Sequence, residues 1–144
     1  MDKRVLGIDF GTVRVGVAVS DPLRIIAQSV GAFTNNKEIY ETIVNIARQY
    51  DVGLVVIGMP FTLKGEKGVK AGEVDKFMSR LKEKLGIDVV AWDERFTSRI
   101  AQQTLIQMGT TKKQRRTDKG RVDAMASALI LQSFLDQTKH SIGC

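Results

Sequence analysis

The chain has one cysteine, one histidine, one tryptophan and two prolines among its 144 residues. Each scarcity excludes something. Cys144 is the final residue, so no internal disulfide can form, and no Cys/His cluster exists to hold zinc. His140 lies in the last residues, a poor place for a catalytic base, and no Ser/His pair offers itself as a nucleophile set. No stretch approaches the ~20 consecutive apolar residues of a membrane span. Met-Asp-Lys-Arg opens the chain and runs straight into a strand pattern without the apolar core of a signal peptide, so a cytoplasmic location is expected. The two prolines, Pro22 and Pro60, both follow strand-like runs and end them.

What is present fits one soluble domain over residues 1–144, with 43% hydrophobic and 26% charged residues. No internal repeat or linker divides it. A formal net charge of +6 and a pI near 9.6 favour an anionic partner.

The pattern centres on Val5-Leu-Gly-Ile-Asp-Phe-Gly-Thr12. Val5–Phe10 is apolar or glycine apart from Asp9, as in a central strand covered on both faces. A carboxylate there is expensive unless it is paired or holds a cation. Asp9 either braces the Gly11-Thr12 turn or serves as a metal ligand.

Residues 13–20 alternate, with Val13, Val15, Val17 and Val19 on one face and Arg14, Gly16, Ala18 and Ser20 on the other. This predicts an antiparallel hairpin with the first strand. Ile25–Phe33, broken at Gly31, predicts a third strand of the meander. Lys37–Tyr50 reads as a helix with Asn35 or Asn36 as cap. Leu54–Ile57 follows as a short buried strand, so a parallel crossover is expected. After Gly58-Met-Pro60 comes a Gly- and Lys-rich loop from Phe61 to Lys70. A second helix then carries Val74, Phe77, Met78, Leu81 and Leu85 on one stripe and ends at Gly86.

Asp88–Trp92 predicts the last strand, ending at Asp93-Glu94-Arg95. Spacing alone does not choose between Asp93 and Glu94 as a metal ligand. A helix capped at Thr97 or Ser98 runs to Gly109. Residues 109–120 then contain five Lys or Arg and no large apolar side chain. Such a segment cannot pack. A mobile loop over 109–118 is expected, with Lys112, Lys113, Arg115 and Arg116 clamping phosphates. The final helix is expected to end near Asp136, to bury Val122, Met125, Ala126, Leu129 and Ile130, and to carry Asp123 in its first turn. A frayed tail is expected over 138–144.

A strand order of 3-2-1-4-5 would gather the ends of the parallel strands on one edge. A helix laid across the sheet would bring Asp123 there. Converging carboxylates suit Mg²⁺ or Mn²⁺, and one or two such ions support phosphodiester hydrolysis.

Four blocks carry a resemblance. They are Gly7-Ile-Asp-Phe-Gly-Thr-Val-Arg-Val-Gly-Val-Ala-Val-Ser-Asp21, Gly58-Met-Pro60 with Gly65, Asp93-Glu-Arg-Phe-Thr97, and Lys119-Gly-Arg-Val-Asp-Ala-Met-Ala-Ser-Ala128. In this order the chain resembles the YqgF/RuvX family of pre-16S rRNA nucleases, also described as Holliday junction resolvase-like. The resemblance implies an α/β, RNase H-like fold: a five-stranded mixed sheet, an antiparallel meander and then parallel strands, with helices on both faces. It implies a metal-dependent nuclease acting in 5′-end processing of pre-16S rRNA, with Asp9, Glu94 and Asp123 as catalytic acids and metal ligands. Thr12, Arg14, Arg95 and Lys119 join the basic loop as expected substrate contacts. The expected partner is nucleic acid, and the chain is expected to be a monomer or weak homodimer. A Holliday junction resolvase acting on branched DNA is the alternative. Asp9-Phe-Gly-Thr12 also resembles the first phosphate motif of actin-like ATPases and sugar kinases, but those close a nucleotide between two such domains.

Overall fold

The computed structural model describes residues 3–60, 68–93 and 119–142. Eight elements follow in order: β1 (Arg4–Phe10), β2 (Arg14–Ser20), β3 (Ala27–Thr34), α1 (Ile39–Gln49), β4 (Val52–Met59), α2 (Val69–Leu85), β5 (Asp88–Asp93) and α3 (Lys119–Ile142). The strands form one sheet in the order β3-β2-β1-β4-β5. β1–β2 and β2–β3 pair antiparallel, while β1–β4 and β4–β5 pair parallel. The RNase H-like order expected from the sequence is therefore present.

Alternation along the strands divides the core. Leu6, Ile8 and Phe10 of β1 pack with Val15, Val17 and Val19 of β2, with Val55 and Ile57 of β4, and with α1 and α2. Val5, Ala18 and Val56 face the other way, against Ile130, Leu131 and Leu135 of α3. Both faces of the central strands are covered, which is why β1 and β4 read as unbroken apolar runs.

Several boundaries move. β4 is longer than Leu54–Ile57 because Met59 still pairs with Asp93. β3 starts at Ala27, since residues 21–26 are consumed by a turn. The break expected at Gly31 is a register shift against Val17/Ala18 that leaves Val30 extra. Asn36 does not occupy the cap of α1, which is Glu38; its side-chain oxygen instead accepts the Glu38 N–H at 3.0 Å just before the helix. Val13 lies outside β2 and is exposed.

The final helix departs most. It continues to Ile142, well past Asp136, so residues 138–142 are helical where a frayed tail was expected. Phe134 and Leu135 are held by the core, and the Thr138 hydroxyl donates to their carbonyls. The buried stripe is also different. It runs through Ala124, Ser127, Ile130, Leu131 and Leu135, while Met125, Ala126 and Leu129 are only half-buried. Counting large apolar residues misses part of the stripe, because Ser127 is fully buried against the sheet beside Leu131. A Cβ placed on Gly7 would lie 2.6 Å from Leu131 Cβ and 3.1 Å from the Ser127 carbonyl oxygen. Ser127 turns its hydroxyl inward, donating to the Ala124 carbonyl at 2.6 Å.

The turn from β2 to β3 is held by the Asp21 carboxylate, which accepts N–H bonds from Ile25 at 2.7 Å and Ile26 at 2.9 Å. The N–H groups of Ile26 and Ile25 hold the carboxyl below its ordinary pKa. α3 fastens onto the same turn. The Gln132 side chain accepts from Ala27 N–H at 2.8 Å and donates to the Ile25 carbonyl at 2.9 Å.

Two measurements follow from these contacts. Gly7→Ala should lose about 1–3 kcal/mol of stability in urea unfolding, the usual penalty of overpacking, because Leu131 Cβ cannot swing aside. Unchanged stability would mean that α3 retreats without loss. The Asp21 carboxyl, followed by NMR, should titrate below the ordinary carboxylate value. A lowered folded pKa means its stabilisation is present above the unfolded value of about 3.9 and is lost as pH falls through the folded one. The Ile25 and Ile26 amides should lose exchange protection over that acidic range.

Candidate active site

Asp9 is the second-last residue of β1, half-buried, at the edge where the parallel strands end. It shares its face with Gly7 and Val5, the face covered by α3. Its partner across β2 is Gly16. On the other side, one residue beyond the Ile8–Ile57 pair, stands Gly58 of β4. Both neighbouring strands thus present glycine beside the carboxylate. Neither glycine was singled out for this from the sequence, because only the register shows that they flank Asp9.

Residue 123 reaches the same level. α3 runs antiparallel to β1: Leu135 packs near Val5, and Ser127 and Leu131 lie over Gly7. The four residues from Ser127 back to position 123 span about 6 Å of axial rise. Two residues along β1 from Gly7 to Asp9 is about 6.6 Å. The first turns of α3, carrying Lys119 and Asp123, therefore extend toward the Asp9 end of the sheet.

Asp93 is the last residue of β5 and pairs with Met59. Its register puts it with Met59 and Val89 on the α1/α2 face, away from Asp9, while Trp92 belongs to the α3 face and meets Phe134 edge-on at 5.7 Å. Glu94, Arg95, Lys112, Lys113, Arg115 and Arg116 lie outside the described residues, as do the Lys-rich loop over 61–67 and the expected helix after Thr97. Among the described residues no group of three metal-ligating side chains assembles.

The hairpin at this edge is tightly built. Thr12 is exposed and Arg14 half-buried at the start of β2, opposite Thr34. A Cβ on Gly11 would collide with the Arg14 carbonyl oxygen, so only glycine fits the turn. Asn35 ties the hairpin to the end of β3: its side-chain amide donates to the Gly11 carbonyl at 2.8 Å and its N–H to the Val13 carbonyl at 2.9 Å. The sequence suggested Asn35 as a helix cap; it braces the hairpin instead.

An acid between two glycines, at the end of a central strand and under the start of a helix, is the kind of oxygen ligand that a hard cation takes. A family model described as "RuvX: Holliday junction resolvase" matches residues 3–137. A protein of Sulfurihydrogenibium sp. (strain YO3AOP1) named "Putative pre-16S rRNA nuclease" is 39% identical over 141 residues, covering 96% of this chain and 94% of its own length. A protein of the same name from Chlorobaculum tepidum is 41% identical over 135 residues, covering 93% and 94%. Among solved structures, T. thermophilus RuvC in complex with a Holliday junction substrate superposes with a TM-score of 0.56 at 15% identity, over 94% of this chain and 96% of that one. That likeness is one of fold.

Proposed function

Because the chain belongs to the RuvX family, we propose that it is a metal-dependent nuclease that hydrolyses phosphodiester bonds in 5′-end processing of pre-16S rRNA. The observation that carries the reading is Asp9, set between Gly16 and Gly58 at the edge toward which α3 brings residue 123. The names of the full-length relatives supply the substrate class.

In this reading Asp9, Glu94 and Asp123 hold one or two divalent ions, Mg²⁺ or Mn²⁺. When bound, such ions supply Lewis-acid activation of the attacking water and charge stabilisation at the leaving oxygen. The chain's own part is placement. Asp9 is fixed by β1, the central strand, so its carboxylate is held by the most buried part of the sheet. The glycines beside it leave a path for a phosphate to approach. Thr12 and Arg14, on the hairpin braced by Asn35, stand beside that path, and Arg95 and Lys119 add cationic contacts. Lys112, Lys113, Arg115 and Arg116 gather backbone phosphates and carry little base information. The protein works in the cytoplasm, as a monomer or weak homodimer. The family description favours a second reading, cleavage of branched DNA at a four-way junction. Parallel assays on precursor rRNA and on junction DNA separate the two.

Asp9→Asn should reduce cleavage by more than about a hundredfold, beyond the ~10–100-fold typical of losing only an outer-shell partner. The melting temperature should stay level or rise, since a charge is removed from a set of like charges. Hydrolysis retained at saturating Mn²⁺ would reject Asp9 as a ligand. Replacing Lys112, Lys113, Arg115 and Arg116 with alanine should weaken binding similarly for different sequences. It should also flatten the log–log salt dependence by up to about three units, at roughly 0.7–0.9 for each phosphate no longer neutralised. An unchanged slope would move the phosphate surface to Arg14, Lys64 and Lys67.

A further inference from the structure

The opposite end of the sheet carries a feature that nuclease chemistry does not use. In the turn between β2 and β3, Leu23 is 70%, Ile25 40% and Ile26 64% exposed. Three large aliphatic side chains within four residues form a patch, not scattered surface apolarity. The turn that displays them is rigid. Besides the two bonds to the Asp21 carboxylate, Asp21 N–H donates to the Ile26 carbonyl at 3.1 Å and Arg24 N–H to the Asp21 carbonyl at 3.0 Å. Arg24 sits in the left-handed region with φ 57°, a conformation unfavourable for a side chain of this size. The strain is held by the same bonds, and it sets a guanidinium between Leu23 and Ile25.

Arg24 links the turn to a residue of a basic cleft. Arg24 Nε donates to the Lys3 carbonyl at 2.9 Å. Lys3 in turn lines a cleft of about 200 Å³ with Arg48, Lys84 and Asp51, floored by apolar side chains that include Ala47 and Val52. The cleft itself sets three cations against Asp51, and the turn adds Arg24 and the Asp21 carboxylate, which stays ionised under its two N–H bonds.

We propose that the turn over residues 21–26 and the adjoining basic cleft are a docking surface for an acidic protein segment bearing one or two large apolar side chains. The apolar residues fill the surface around Leu23 and Ile26, and the carboxylates meet Arg24 and the lysines of the cleft. A second copy of the chain fits poorly. Around a two-fold axis Arg24 and Lys3 would face their own counterparts, and three side chains expose far less than the ~800 Å² per partner of a stable interface. A nucleic acid also fits poorly, since aliphatic side chains offer bases no ring to stack on. The surface lies about 20 Å from Asp9, six residues along the strand at ~3.3 Å each. It therefore stands or falls independently of the catalytic reading.

The test selects a displayed library of random twelve-residue peptides against the full chain, with Leu23→Ser/Ile26→Ser as the counter-selected form. Selected peptides should combine Leu, Ile or Phe with several Asp or Glu. A synthetic copy of the leading peptide should bind the double variant at least about tenfold more weakly, the scale of losing interface anchors. Arg24→Glu and Lys84→Glu should each weaken it several-fold, and affinity should fall as salt rises. Circular dichroism should show all three variants folded, and nuclease activity should be unaltered. The proposal is overturned if no peptide discriminates the double variant, or if the selected peptides carry no acids. It is also overturned if the free chain sediments as a dimer that Leu23→Ser/Ile26→Ser dissolves, or if a photo-crosslinker at position 23 reacts with RNA and not with peptide.

Discussion

The contact on which the arrangement depends is the seat of α3 on β1 at Gly7. Nothing larger than hydrogen fits there, because Leu131 Cβ and the Ser127 carbonyl already occupy the space. That contact sets how close the last helix lies to the central strand, and hence how near position 123 comes to Asp9. Close packing makes the distance stiff: the interior has no slack to absorb an added methyl group. A residue without a side chain in the core thus governs the separation of two residues that carry charge.

The two faces of the sheet have different work. On the α1/α2 face large aliphatic side chains interdigitate in a continuous core, with Phe77 between Phe10 and Tyr40 at centroid distances of 4.8 and 5.2 Å. On the α3 face the positions along β1 and its neighbours include Gly7, Gly16, Ala18 and Gly58. Small residues let a helix approach, as at Gly7. The face with less packing volume is the one on which Asp9 stands.

Most of the sheet was legible because period-two valines and unbroken apolar runs are strong signals, and Asp9 was legible because it breaks one of them. What escaped was set by tertiary contact. The buried stripe of α3 was partly misassigned because Ser127, a poor core residue by type, is fully buried where the helix crosses Gly7. The helix runs past Asp136 to Ile142, with the Thr138 hydroxyl bonded back to the Phe134 and Leu135 carbonyls. Asn35 looked like a cap because local sequence cannot show that Gly11, far away in the chain, would be its partner. The flanking glycines and the facing of Asp93 needed the strand register, which no single segment encodes.

Gln132 has a mechanical consequence. Its amide replaces a strand in bonding the backbone of Ile25 and Ala27, so α3 is clamped to the sheet at the end remote from Asp9. Position 123 is nine residues nearer the helix start, an arm of about 13 Å. The helix is a cantilever, with Gln132 as the fixed mount and Gly7 as the fulcrum. A tilt of about 5° about the mount would displace the free end by roughly 1 Å, more than the ~0.5 Å tolerance of a working constellation. Small angular errors at the clamp are thereby magnified at the start of the helix, and the fulcrum at Gly7 limits them.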